Sequence, residues 1–228
     1  MNVLWQKLYE SFVEALDAHD NGISVYDPSE TKNLQKRFYD GGIGLGSLVG
    51  DLNANFGDED GLTAEQAQEA EDGRFLKASS LMGETFIRKL TYYHRAWLPA
   101  RTLVHETYAA RKEYDAKGRL MVFPRGCPWK DHLYTLEAEK PDEEKVLFVL
   151  YPESEHEGAK WRIQAVSVSV DSFESRKPLP EAWRGVRDDQ LSEVTGIPGC
   201  IFAHASGFIG GNKTKDGALE MARKSIEM

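Results

Sequence analysis

Near residue 118 the hydrophobic period of this chain changes from that of a helix to that of a strand. From Thr63 to Tyr114 the residues are mostly strong helix formers, and Phe75, Leu76, Phe86, Ile87, Leu90, Tyr93 and Trp97 recur at helical spacing. Beyond Asp115-Ala-Lys-Gly118 the pattern has period two. Lys145–Tyr151 is a continuous apolar run suited to a buried strand, and Trp161–Val170 alternates as a half-buried one does. The polar connection Pro152–Lys160, which contains Gly158, is short enough to make the two an antiparallel hairpin. Helices first and strands afterwards predict an α+β fold: N-terminal helices, a long helical connector, then a small mixed or antiparallel sheet domain that ends in a helix.

The remaining segments fit this order. Leu4, Leu8, Phe12 and Leu16, with Val13 beside them, form the apolar stripe of a first helix that begins with the opening residues Met1-Asn-Val-Leu and stops at Asn21-Gly22. Asp40–Gly61 is rich in glycine, with Asn and Asp interleaved, and is expected to hold little regular structure. Thr63 and Gln66 have the spacing of a capping box, and Pro99 should kink or split the long helical stretch near Trp97. Three segments follow: residues 1–60, 61–118 and 119–228.

Composition narrows the function. A net charge of −9 argues against a protein that coats nucleic acid through a general basic surface, because Lys and Arg neutralising phosphate supply most non-specific affinity. A local site is compatible with that charge, since basic and acidic residues nearly balance from Arg176 onward. No run approaches the roughly 18 apolar residues of a membrane span. Cys127 and Cys200 are far apart and lack metal-ligand spacing, which fits two reduced thiols of an intracellular protein.

Four groups of residues carry possible chemistry. Ile197–Arg223 reads as an apolar strand (Cys200–His204), a glycine-rich loop and a final helix, an order that suits anion binding at the free amides of the helix start. His204, Ser206, Lys213 and Thr214 add donors to that loop, although a plain tight turn explains the glycines equally well. Gly207–Thr214 matches a Walker phosphate loop except at Asn212, but only fourteen residues follow it, too few for a nucleotide-binding domain. Arg184 and Arg187, in the proline-bearing segment after Arg176, could present forked donors to phosphate or simply be solvated. Cys127 and His132, five apart, lack the wide sequence separation usual for a catalytic thiol and its base, and Cys127 is expected to pack beside Trp129.

The fourth group is Asp17-Ala-His-Asp20-Asn-Gly. Asp17 and Asp20 share a helix face in the last turn, where the helix dipole disfavours carboxylates by about 0.3–1 kcal/mol each. A divalent metal would compensate, yet Asp and Asn are also ordinary residues of helix ends, and spacing leaves both readings open. His19 is expected to point elsewhere as a surface histidine.

Several of these segments together resemble the Myg family, the melanocyte-proliferating-gene proteins, also described as metal-dependent protein hydrolases. They are Asp17–Ser24, Trp97-Leu-Pro-Ala-Arg101, Cys127–Tyr134, Trp161–Val166, Ser172–Gly185 and Gly196–Gly211, and the likeness spans nearly the whole chain. The resemblance implies a phosphoesterase of the Asp-His-His type, a 3'-to-5' RNA exonuclease of nucleus and mitochondrion that uses a divalent metal, Mn or Mg. It further implies that Asp17 or Asp20 supplies the last carboxylate of the metal site. Arg184, His204, Ser206, Gly210, Gly211 and Lys213 would then contact phosphate or ribose of RNA or nucleotide. Family members begin with a domain holding Thr-His-x-Gly-x-Phe-His-x-Asp-Glu and Asp-His-His segments, and neither occurs in this sequence. The chain is therefore expected to be the C-terminal two-thirds of such an enzyme, little active by itself, with a non-catalytic nucleotide- or RNA-binding module as the alternative.

Overall fold

The computed structural model describes residues 2–35 and 41–228. Helix comes first. α1 (Val3–Leu8) runs through a π-helical turn, Tyr9–Val13, into α2 (Glu14–Asp20). The Asn2 side chain accepts the Leu4 N–H at 3.0 Å and so satisfies one amide of the first turn. Leu8 and Phe12 are the buried members of the expected stripe, and Asn21 with left-handed Gly22 (φ 69°) ends the helix. Met1, with which that helix was to begin, lies outside the described residues.

α3 (Pro28–Thr31) and α4 (Leu45–Gly50) are short. α4 corrects the expectation of little regular structure from Asp40, itself outside the described residues, to Gly61. Leu45, Leu48 and Val49 have helical spacing, which the surrounding glycines hide in sequence. α5 (Ala64–Tyr92) starts on the expected capping box: Thr63 Oγ1 accepts the Gln66 N–H at 3.3 Å, and Gln66 Oε1 accepts the Thr63 N–H at 3.0 Å. A second π-helical turn, Tyr93–Trp97, leads into α6 (Leu98–Ala110), with Pro99 in its first turn. Proline has no N–H to offer the carbonyl four residues back, and a widened turn accommodates that loss without ending the helix.

By internal packing the chain divides into two units, one up to Arg95 and one from Ala96. The second is built on a mixed sheet of β1 (Leu120–Val122), β2 (Phe148–Pro152), β3 (Trp161–Ala165), β4 (Cys200–Ala203) and β5 (Ile209–Asn212), in the order β1-β2-β3-β5-β4. β1 and β2 are parallel, and every other pair is antiparallel. The β2–β3 hairpin is the one expected, with Leu150 opposite Ile163. Its second strand ends at Ala165 rather than Val170. Beyond that point Ser167 bridges Ser175, and Val168 and Val170 are exposed.

Helices cover the sheet. Phe148, Leu150 and Ile163 pack with Leu191 of α8 (Asp188–Thr195) and with Met221 and Ala222 of α9 (Lys215–Glu227). On the opposite side Met121 and Val149 pack with Val104 and Tyr108 of α6 and with Leu133 of α7 (Lys130–Glu139). Each large apolar side chain so buried contributes about 1.5–3 kcal/mol relative to exposure.

The glycine-rich stretch is where the expected loop is overturned, because Gly210 and Gly211 lie inside β5. A Cβ on Gly210 would sit 3.0 Å from the Phe202 carbonyl oxygen and 2.9 Å from Leu179 Cδ1, so close packing, not a loop, requires that glycine. The β4–β5 pairing passes from Cys200↔Asn212 to Phe202↔Gly211, leaving Ile201 over as a bulge. Cys200 and Ala203 both enter the core, and the extra residue sends the Phe202 ring to the other face. Outside β4, Gly185 N–H donates to Ala203 O, Ala203 N–H donates to Val186 O, and Arg187 bridges Phe202, which covers the sheet edge.

Candidate functional site

In the first unit Asp17, His19 and Asp20 line one open pocket with Leu16, Gly46 and Val49. All three polar residues are exposed. His19 is on the surface as expected but does not point away from the carboxylates: its ring lies on Gly46, where a Cβ would come within 2.3 Å of Nε2. Asn21 Nδ2 donates to Asp17 O at 2.8 Å and to Asp17 Oδ1 at 3.2 Å, which satisfies the end of α2 and orients one carboxylate. A divalent cation such as Mg²⁺ needs about six donors. Among the described residues no three His, Cys, Asp or Glu side chains gather to hold an ion. Asp17 and Asp20 could supply two ligands of a shell but do not complete one.

In the second unit the turn between β4 and β5 collects three of the expected residues. Gly207 is left-handed (φ 73°), and a Cβ there would stand 2.8 Å from Arg184 Nε and 3.2 Å from the Leu179 backbone. Leu179 N–H donates to Gly207 O, and Arg184 Nε–H donates to Leu179 O at 2.9 Å, so the arginine stem is fixed against the turn. His204 Nδ1 accepts the Ser206 N–H at 3.2 Å and lies 2.9 Å from Ser206 Oγ. That role for Nδ1 leaves the proton of a neutral imidazole on Nε2, as a donor. The His204 ring meets Phe208 edge-on at 4.7 Å, and both are exposed. Arg184, His204 and Ser206 thus all border this turn.

Lys213 does not join them. It follows β5 at the opposite end, and four strand residues at about 3.3 Å each separate the two ends by roughly 13 Å. Its N–H donates to Gly199 O, while Asn212, fully buried, accepts the Thr214 N–H at 2.9 Å through Oδ1 and donates to Pro198 O at 3.0 Å. Thr214 Oγ1 in turn accepts the Gly217 N–H at 3.0 Å. Two amides of the α9 start that were to face an anion are therefore satisfied within the chain. Asn212, the departure from the Walker pattern, is what satisfies the first of them.

Two other groups are structural. Arg176 forks onto Glu137, Nη1 to Oε1 at 2.9 Å and Nη2 to Oε2 at 2.7 Å, with Glu137 nearly inaccessible, so it ties α7 to the sheet and does not meet solvent phosphate. Burial pushes the Cys127 thiol up to about 11, and His132 Nε2 lies 2.8 Å from Trp97 O, so neither is set up as a nucleophile–base pair. What sequence reasoning missed is the contact of His19 with Gly46 and the packing of Asn212 on Gly217. A glycine inside an apolar helical triplet, and the Asn-x-Thr-x-x-Gly spacing, are the only signals for them.

Residues 1–226 match the model of MYG1_exonuc, described as an uncharacterised protein family (UPF0160). The chain is 43% identical over 224 residues to the MYG1 protein of Dictyostelium discoideum, covering 98% of this chain and 64% of that one. It is 43% identical over 227 residues to both the human and the rat MYG1 exonuclease, covering 99% of this chain and 56% and 55% of theirs. It therefore spans between about half and two-thirds of the length of these relatives. No solved structure matches.

Proposed function

The chain belongs to the MYG1_exonuc family, and from that premise we propose that it is the substrate-binding part of a metal-dependent exonuclease acting on single-stranded RNA. The observation that carries the reading is the placement of Arg184, His204 and Ser206 around one turn whose centre, Gly207, has no room for a side chain. Arg184 can present its guanidinium end to phosphate while Nε is held by Leu179 O, and His204, on the same turn, can donate from Nε2. Gly210 and Gly211, which are buried inside β5, offer RNA no surface, and Lys213 lies beyond them at the strand's far end. In this reading Asp17 and Asp20 provide carboxylates to a Mn or Mg centre, which when bound would activate a water for phosphodiester attack. In this reading the two carboxylates are part of a larger ligand shell, and the chain by itself is proposed to bind RNA without cutting it. The compartments implied by the family resemblance, nucleus and mitochondrion, belong to the same proposal and rest on that resemblance.

Thermal melting with and without a short single-stranded RNA tests the binding half of this reading. With RNA a hundredfold above its Kd, linkage supplies about 2.7 kcal/mol, enough to raise the midpoint by roughly 5 °C or more. An unchanged midpoint at high RNA concentration would contradict it.

A further inference from the structure

We infer that half-buried Phe202, beside Arg162 and Arg187 on the sheet face opposite Cys200 and Ala203, is a stacking subsite for one unpaired nucleobase of a single-stranded nucleic acid, with Arg187 meeting the adjoining phosphate. The inference rests on the reading above that the ligand is a nucleic acid. It concerns residues distinct from the Arg184, His204 and Ser206 group.

Strand register places the parts. Tyr151 pairs with Arg162, Arg162 with Gly211, Gly211 with Phe202 and Phe202 with Arg187, so these positions form one row across four strands and the edge segment. The Arg162 guanidinium carbon is 4.8 Å from the Phe202 ring centre, and that of Arg187 is 5.9 Å from it. Gly211 makes the first contact possible, since a Cβ there would lie 2.7 Å from Arg162 Nη1 and 3.2 Å from Phe202 Cε1. Arg162 Nη2 is held by Glu153, whereas Nη1 is buried without an acceptor. A buried guanidinium nitrogen left unsatisfied costs free energy, and it is tolerated here where the guanidinium lies on the Phe202 ring.

A packing role does not explain the arrangement. A phenylalanine needed only for the core would sit with Cys200 and Ala203, and the bulge at Ile201 instead turns it out of that core. The exposed Arg187, more loosely placed than Arg162, would swing off the ring to let a base stack there and would then meet the adjoining phosphate. An acidic peptide would engage the two guanidinium groups but leave the ring unused. Glu153 already neutralises much of Arg162, so charge alone recommends this face to an anion less than stacking recommends it to a base.

Fluorescence anisotropy of the full chain with a labelled single-stranded RNA of about 12 nucleotides tests the inference. Phe202→Ala should weaken binding about tenfold, Phe202→Trp should restore it, and exposed Arg187→Gln should weaken it severalfold and reduce its salt dependence. If the unaltered chain binds RNA while Phe202→Ala and Arg187→Gln bind equally well, the stacking subsite is wrong and the reading of function survives. Failure of the unaltered chain to bind RNA would overturn both. Competition by polyglutamate as strong as that by unlabelled RNA would identify a simple anion patch and overturn the stacking role.

Discussion

At the scale of single residues, polar side chains here act mostly on their own backbone. Asp115 accepts the Arg119 N–H and Nε–H at 2.9 Å and Nη2–H at 2.6 Å, which fixes the turn that delivers the chain into β1. The Arg119 side chain is the main cause that holds this carboxyl at about 2 instead of 3.8, against an opposing effect of burial. Because the folded value is depressed, the stabilisation is complete above about pH 4 and is lost as pH falls through about 2. Asp115→Asn should therefore lower stability by about 1–2 kcal/mol at pH 7, and the gap from the unaltered chain should close near pH 2 in acid denaturation. Asn212 gives a second case. Gly217→Ala would place a Cβ 2.2 Å from its Oδ1 and should cost about 1–3 kcal/mol, and Asn212→Ala a similar amount through lost hydrogen bonds. Urea denaturation of the double variant should show less than the sum of the two, since the alanine methyl then occupies the space that the amide vacates.

At the scale of elements, periodicity made the long helix, its capping box, the β2–β3 hairpin and β4 legible in sequence. Those segments carry their own partners or their own alternation: Thr63 and Gln66 cap each other, and Trp161-Arg-Ile-Gln-Ala alternates faces. β5 was not legible, because Ile-Gly-Gly-Asn has one apolar side chain and becomes a strand only through pairing with β3 and β4. The same tertiary dependence hid the site. Arg184 and Arg176 look alike as basic residues of one segment, yet one is fixed at the rim of the β4–β5 turn and the other is paired with buried Glu137. Asp17 and Asp20 were legible as a pair on one helix face, whereas the pocket they share with Gly46 depends on where α4 packs. The requirement for glycine in β5 is open to test. Gly210→Ala, which must displace either the Phe202 carbonyl or Leu179, should lower stability by about 1–3 kcal/mol in a thermal melt, whereas Gly50→Ala, with no atom within 4 Å of the new Cβ, should not.

At the scale of the whole molecule, one unit carries two carboxylates at a helix end and the other a sheet with basic and aromatic side chains at its rim. Among the described residues no helix is long and apolar enough to cross a membrane. With a net charge of −9, a polyanion would have to be held by a local site and not by the overall field, so the proposed binding should depend on named side chains more than on total charge. The most direct measurement of the central claim is a gel assay of this chain with Mn²⁺ and an end-labelled single-stranded RNA. The account predicts RNA that is bound and remains full length. A ladder of progressively shortened products, abolished by Asp17→Ala or Asp20→Ala, would contradict it by showing that this chain assembles a working metal centre by itself.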